Sequence, residues 1–528
     1  MDLATTLSWT AERYPHRRAV GGPAPLTYRE WDARTNQVAR ALARAGARPA
    51  DRVVLLMQGG EPLATLHLAA QKLGVASVPL SIRFAPAEAF RCIEDCGPTL
   101  VVVDVTTADR VPAELEIAGR RIPVLFQGPL EQTPPGMVCL PELVALESEA
   151  SPEAAPATDA ISVMLYTSGT TGRPKGVPRT HAAEHAAAVA HVMQSGHRPG
   201  EVTLGVMPLF HTMGLRSLLA SIVTAGTWVP QARFDAEQSL ELITREQVSA
   251  LYLVPTIYWS LLRTGRLADA TSVRRLGYAG AAMTPALAEQ LVAAVQPERF
   301  INHFGSTEIY TFTIGPDVAA KPGCAGRAGM FSRVRLVDPT PGASPDLLVA
   351  AGEQGQVAVS MSSPEAFAGY WNRPDADAAA IRDGWYFTGD LATADEDGDL
   401  WVSGRVDDMI NSGGENIYPD EIEDALVRCP AVDEVIVVGL PDDRWGSAVT
   451  AFVVPRTGAD PDKTLAELDR YLRTESGLPS LKRPKRLVAV DVIPKSAVGK
   501  ILRRELADGK FVPLAEAAVT SSSQEPQS

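Results

Sequence analysis

The chain has 528 residues, 45% of them hydrophobic, and a formal net charge of -14. That length accommodates several buried cores, while the acidic balance argues against a nucleic-acid-binding surface as its main business. Five scattered cysteines do not make a disulfide framework, "MDLATTLSWTAERYP" has no signal-peptide pattern, and no run of about 18 apolar residues occurs; a reducing cytoplasm and no membrane insertion are expected.

In chain order, the apolar runs "RVVLLM" (52–57), "TLVVVDV" (99–105), "ISVMLYT" (161–167) and "ALYLVP" (250–255) read as buried strands. Stretches with helical spacing alternate with them, such as "PLATLHLAAQKLG" (62–74) and "AEQSLELITREQ" (236–247). Alternation of this kind predicts an α/β protein with parallel-rich sheets flanked by helices. Cys92 and Cys96 stand four apart on one predicted helix and, with no second pair nearby, read as semi-buried thiols rather than metal ligands. Residues 130–160, rich in Pro, Glu, Ser and Ala, read as a surface connection.

Next comes "YTSGTTGRPKG" (166–176), dense in hydroxyls, glycine and cations. A strand running into such a loop points backbone N–H groups at phosphate, and a lysine adds charge. Its glycine and lysine spacing is not that of G-x-x-x-x-G-K-[ST]. Beyond residue 404 a helix, two strands, a helix and a strand predict a second, small α/β domain; the boundaries are drawn at 1–404, 405–515 and a disordered tail 516–528 ending in "TSSSQEPQS".

Six further segments follow the loop in order: "MPLFHTMG" (207–214), "GYAGAAM" (277–283), "NHFGSTE" (302–308), "GWYFTGDLA" (384–392), "GRVDDMINSGGENIYPDEIE" (404–423) and "PKSAVGKILRREL" (494–506). With it they resemble the adenylate-forming acyl- and aryl-CoA synthetases, in wording most similar to benzoate and 4-chlorobenzoate CoA ligases. The resemblance implies a large N-terminal domain with a small mobile C-terminal one, and two steps: ATP, Mg2+ and a carboxylic acid give an acyl-adenylate, then CoA takes the acyl group.

By the same resemblance, Thr167, Ser168, Gly169, Thr170, Thr171, Gly172 and Lys175 hold phosphates. Glu308, after Thr307, is the Mg2+ ligand, Asp390 binds the ribose diol and Arg405 contacts the nucleotide. Lys500 bridges carboxylate and α-phosphate, and Asp407 is the hinge. For CoA the expected contacts are Arg83, Gly413, Gly414, Trp445, Arg483 and Lys485, the last two within a cationic run that also holds Lys482 and Arg486. His211 is implied as the gate to the pantetheine tunnel, with Ala190, Thr212, Met213, Tyr252, Gly280, His303, Gly305, Tyr310 and Thr311 as the acyl-pocket wall. Rings and a thioether there suit a small aromatic acid, and the hydrogen-bonding members suit a hydroxylated one.

Alicyclic or short- to medium-chain acids, and loading of a carrier protein, stay open as alternatives. "HAAEH" (181–185) has the form of an inverted zinc peptidase motif, a chance match set against seven ordered segments. A homodimer is compatible with the sequence. "PKSAVGK" resembles sites where a lysine acetyltransferase and deacetylase act, here on Lys500.

Overall fold

The computed structural model describes residues 3–152, 157–167, 174–412, 415–417, 419–442, 445–480, 482–495 and 501–519. Two compact units emerge: Met1–Val334 with Ala358–Tyr386 and Asp397–Leu400, and Arg335–Val357 with Phe387–Glu396 and Trp401–Ser528. Composition marks a single cut, drawn at 404/405, whereas the second unit also gathers two earlier stretches. Among the described residues no helix is long and apolar enough to cross a membrane.

Two large sheets dominate the first unit. In one, Arg52–Leu56, Ala76–Pro79, Leu100–Asp104 and Val124–Gln127 run parallel, with Ile161–Thr167 beside Ala76–Pro79 and Lys175–Thr180 antiparallel at the edge. In the other, Arg299–Phe304, Arg275–Tyr278, Ala250–Leu253, Val202–Gly205 and Thr227–Pro230 form the parallel centre. The continuous apolar runs have a simple cause. Side chains alternate between faces, so Val53 and Leu55 join a core shared with helices Tyr28–Arg44, Glu61–Lys72 and Thr212–Val223, while Val54 and Leu56 join another that includes Ile93 and Cys96. Each buried Val or Leu stabilises by on the order of 1.5–3 kcal/mol, so both faces must be covered.

Helix ends follow local chemistry. Thr27 and Glu30 form a capping box at the start of Tyr28–Arg44, and Thr180 Oγ1 accepts from the Ala183 N–H at the start of His181–Ser195. Cys92 and Cys96 are buried free thiols; burial pushes Cys92 up to about 12, which disfavours the thiolate that a metal would need. The expected surface connection carries a short helix, Leu140–Ala145, because Leu140 is drawn into the core.

In the second unit Val432–Asp442, Gly446–Pro455, Arg486–Val490 and Pro513–Ala518 form a four-stranded sheet covered by Pro419–Leu426 and Pro461–Thr474. The last strand corrects the expected tail. Pairing with Arg486–Val490 makes residues 516–518 strand, and 520–528 lie outside the described residues.

Candidate functional site

Thr167 and Lys175 are cross-strand partners, so the strands bring the two ends of the loop together. Ser168, Gly169, Thr170, Thr171 and Gly172 lie outside the described residues, as do Gly413, Gly414 and Lys500. The Tyr166 hydroxyl donates to Asp95 at 2.6 Å. Lys175 Nζ lies 4.8 Å over the Tyr370 ring, and that tyrosine donates to Glu308 Oε1 at 2.7 Å. Burial and the neighbouring Glu308 push the Tyr370 phenol well above its ordinary value, so it stays a donor.

Glu308 is held from behind. Arg179, wholly buried on the strand Lys175–Thr180, donates to the carbonyls of Thr307 and Glu308 at 3.2 Å and of Glu365 at 2.9 Å, and pairs with Glu184. One buried guanidinium thus ties three segments together, and its charge is answered by a buried carboxylate. Tyr370 orients one oxygen of the Glu308 carboxylate, and a hard oxygen held in this way would suit Mg2+.

Of the expected acyl-pocket wall, Tyr252 and His303 meet directly, the Tyr252 hydroxyl lying 3.2 Å from His303 Nδ1, and both meet Arg216 on the helix Thr212–Val223. Arg216 Nη1 donates to the Tyr252 hydroxyl at 3.2 Å and to His303 Nδ1 at 3.1 Å. Tyr310 lies between Arg179 and Arg216, whose guanidinium carbons stand 3.6 and 5.2 Å from its ring centre, and its hydroxyl donates to Glu184 at 3.3 Å. His191 adds a fourth ring, 4.7 Å from Tyr252 and 5.0 Å from His303. Gly305 is required there, because a Cβ would stand 2.1 Å from the Tyr310 carbonyl oxygen. Met213 Sδ lies 3.9 Å from where a Gly280 Cβ would stand, Thr311 and Ala190 are buried, and Thr212 opens the Arg216 helix. His211 caps that helix: its Nδ1 accepts from the Met213 N–H at 3.3 Å.

Arg216, Arg179, His191 and Tyr370 escaped the motif reading. A buried cation in the apolar "GLRSLLAS" was the available signal for Arg216. In "HAAEH" the Glu184 carboxylate is engaged by Arg179 and Tyr310, which removes it as a general base. Among the described residues His181 and His185 belong to no cluster of three metal-capable groups.

In the second unit Asp390 and Arg405 pair with each other, Nη1 to Oδ1 at 2.5 Å, and Arg405 Nη2 reaches the Thr388 carbonyl at 3.3 Å. Gly389 makes room: its φ is +80°, and a Cβ would stand 2.7 Å from that Nη2. Asp407 belongs to the short turn Val406–Asp408 that follows. Arg503 anchors the next residue, Asp408, at 3.5 Å, together with Asp420 at 2.7 Å and Glu423 at 2.9 Å.

Lys485 Nζ lies 5.4 Å over the Trp445 ring, and Arg483 Nε donates to the Leu478 carbonyl. Lys482 and Arg486 are answered by Glu421 and Glu516. Arg83, in the first unit, is exposed in a turn pinned by its N–H to Ser81 Oγ.

The pattern of the AMP-binding enzyme family matches residues 7–371, and that of the AMP-binding enzyme C-terminal domain matches residues 421–500. A feruloyl-CoA synthase from Amycolatopsis sp is 35% identical over 94% of this chain and 98% of its own length. A 4-chlorobenzoate–CoA ligase from Arthrobacter sp is 33% identical over 95% and 94%. The crystal structure of ATP-bound MatB from Rhodopseudomonas palustris superposes with a TM-score of 0.84 at 29% identity, over 96% of this chain and 99% of that one. With both family patterns in place and relatives matched nearly end to end, the chain belongs to the AMP-binding enzyme family, as an AMP-forming acid–CoA ligase that uses a carboxylic acid, ATP and CoA.

Proposed function

We propose that this ligase acts on a small aromatic carboxylic acid of the benzoate type, hydroxylated rings included. The observation that carries the reading is the buried group of Tyr252, His303, Tyr310 and His191 beside the helix that His211 caps. Flat rings offer offset and edge contacts to another ring. The feruloyl and 4-chlorobenzoate enzymes, both named for aromatic acids, support it. Pyrophosphate release across benzoates, alicyclic acids and fatty acids tests it; a higher kcat/KM for decanoate than for every ring acid would remove it.

Residue roles follow from chemistry. Thr167, the loop after it and Lys175 would bind phosphate oxygens, and Asp390 and Arg405 the nucleotide. Glu308 would hold Mg2+, which when bound supplies charge neutralisation at the phosphates. Lys500 would stabilise charge that develops as the acid oxygen attacks the α-phosphorus and pyrophosphate leaves. Its acetylation would delete that charge; an unchanged adenylation rate in enzyme fully acetylated at Lys500 would count against such control. Lys485 beside the Trp445 ring supports the nucleotide of CoA as acceptor rather than a carrier protein. The five cysteines, all free and buried, fit a reducing cytoplasm.

A further inference from the structure

Arg216 is 2% exposed, and its position makes a tautomer legible. A guanidinium only donates, so the His303 Nδ1 that faces it at 3.1 Å is an acceptor. Burial, reinforced by Arg216, holds that ring's pKa well below 6.5. The one ring proton of neutral His303 therefore sits on Nε2. Both that Nε2–H and the Nε–H of Arg216 are buried without a hydrogen-bond partner. Buried polar groups are almost always paired, and these two orphans are both donors within one ring-lined cluster.

Charge points the same way. Arg179 has its own counter-ion in Glu184; the charges of Arg216 and Arg179 both act on Glu365, whose two carboxylate oxygens are also buried without a hydrogen-bond partner. Glu365 is wholly buried, and burial raises its pKa toward the neutral acid against the pull of both arginines.

We propose that Arg216 and His303 form the substituent end of the acyl pocket, and that they select ring acids carrying an oxygen acceptor over ring acids carrying an apolar group of similar size. The acceptor chemistry is shared by a second carboxylate, a phenol oxygen and a nitro group, with the anionic oxygen matching the guanidinium best. The inference rests on the aromatic-acid reading and adds which ring is taken and by what. Arg216 is the specificity-determining residue in it, with Tyr252 and the Tyr310 ring holding the guanidinium in place.

The test uses the full chain with ATP and Mg2+, reading pyrophosphate release with benzoate and with its 3- and 4-methyl, hydroxy, nitro and carboxy derivatives. The kcat/KM ratio of the best acceptor-bearing acid to the methyl analogue should be at least ~10 in the parent enzyme, the usual effect of one hydrogen bond to a charged group. Arg216→Met should lower that ratio at least tenfold, and Arg216→Lys should lower it less. Carboxy and hydroxy acids against nitro acids show whether charge or acceptance alone is read, and either supports the proposal. A parent ratio of one or less at both ring positions overturns it, as does a ratio that survives Arg216→Met. If Arg216→Met does not fold by circular dichroism, His303→Phe takes its place with the same criterion. Turnover of benzoate with a flat ratio sinks this inference alone, whereas decanoate outperforming every ring acid sinks the aromatic reading with it.

Discussion

Tyr370 and Glu308 are joined by a 2.7 Å hydrogen bond from phenol to carboxylate, with Lys175 Nζ 4.8 Å over the same ring. The tyrosine thus orients the expected magnesium ligand and steers the loop lysine. Tyr370→Phe keeps the ring and removes the donor. Half-saturation by Mg2+ should rise by ~10- to 100-fold, the usual cost of losing a group that orients a metal ligand, with a smaller change in KM for the acid. An unchanged Mg2+ titration would show that Glu308 needs no such orientation.

Lys500 and Gly414 should injure different half-reactions. Lys500→Ala should slow adenylate formation by at least ~10² to 10³ yet still pass supplied acyl-adenylate to CoA. Gly414→Ile should spare adenylation and block thioester formation, and Asp407→Pro should resemble it because a fixed φ arrests the turn. Single-turnover kinetics on each step decide. Equal loss of both steps in folded Lys500→Ala would end the domain-alternation reading.

Gly389 makes room for the Asp390–Arg405 pair, so the nucleotide contact proposed for that pair should depend on it. Gly389→Ala places a Cβ 2.7 Å from Arg405 Nη2 at a φ of +80°, where a side chain costs on the order of 1–2 kcal/mol. It should lower thermal stability and raise KM for ATP, whereas Asp390→Asn should raise KM for ATP at least as much with a smaller thermal effect. Equal ATP affinity in both variants and the parent would show that the pair is structural only.

Three buried histidines set an acid limit. Burial lowers His67 to about 3, with His181 adding to it, and holds His191 and His303 well below 6.5. All three are neutral in the native state and protonate in the unfolded chain. Their stabilising effect is present above pH 6.5 and is lost as pH falls from there toward the native values. Each contributes a slope of about 1.4 kcal/mol per pH unit in that window. Unfolding followed by urea at pH 7.5, 6.5, 5.5 and 5.0 should show stability falling ever more steeply with acid. A flat profile would show that these rings are hydrated in solution.

Much was legible without coordinates because it is local. The runs 52–57 and 99–105 match the strands Arg52–Leu56 and Leu100–Asp104 to within one residue at each end, since apolar residues on both faces admit only a covered sheet. The caps at Thr27 with Glu30 and at Thr180 were not read from the sequence, although each is a bond that spans only three residues. The order of seven motifs identified the family, and the match to residues 7–371 and 421–500 bears it out.

Partnership was not legible. Tyr370 reaches Glu308 across 62 residues, Arg179 reaches Glu365 across 186, and Arg216 reaches His303 across 87. Nothing near Arg216 in the chain says that its guanidinium faces two aromatic residues, because the strands that carry Tyr252 and His303 become its neighbours only when the parallel sheet assembles. Periodicity and capping act over a few residues and determine which segments are helix or strand. Which buried donor meets which acceptor, and hence where the proton of His303 sits, is decided by packing between distant segments, where desolvation makes an unpaired group costly and so selects its partner.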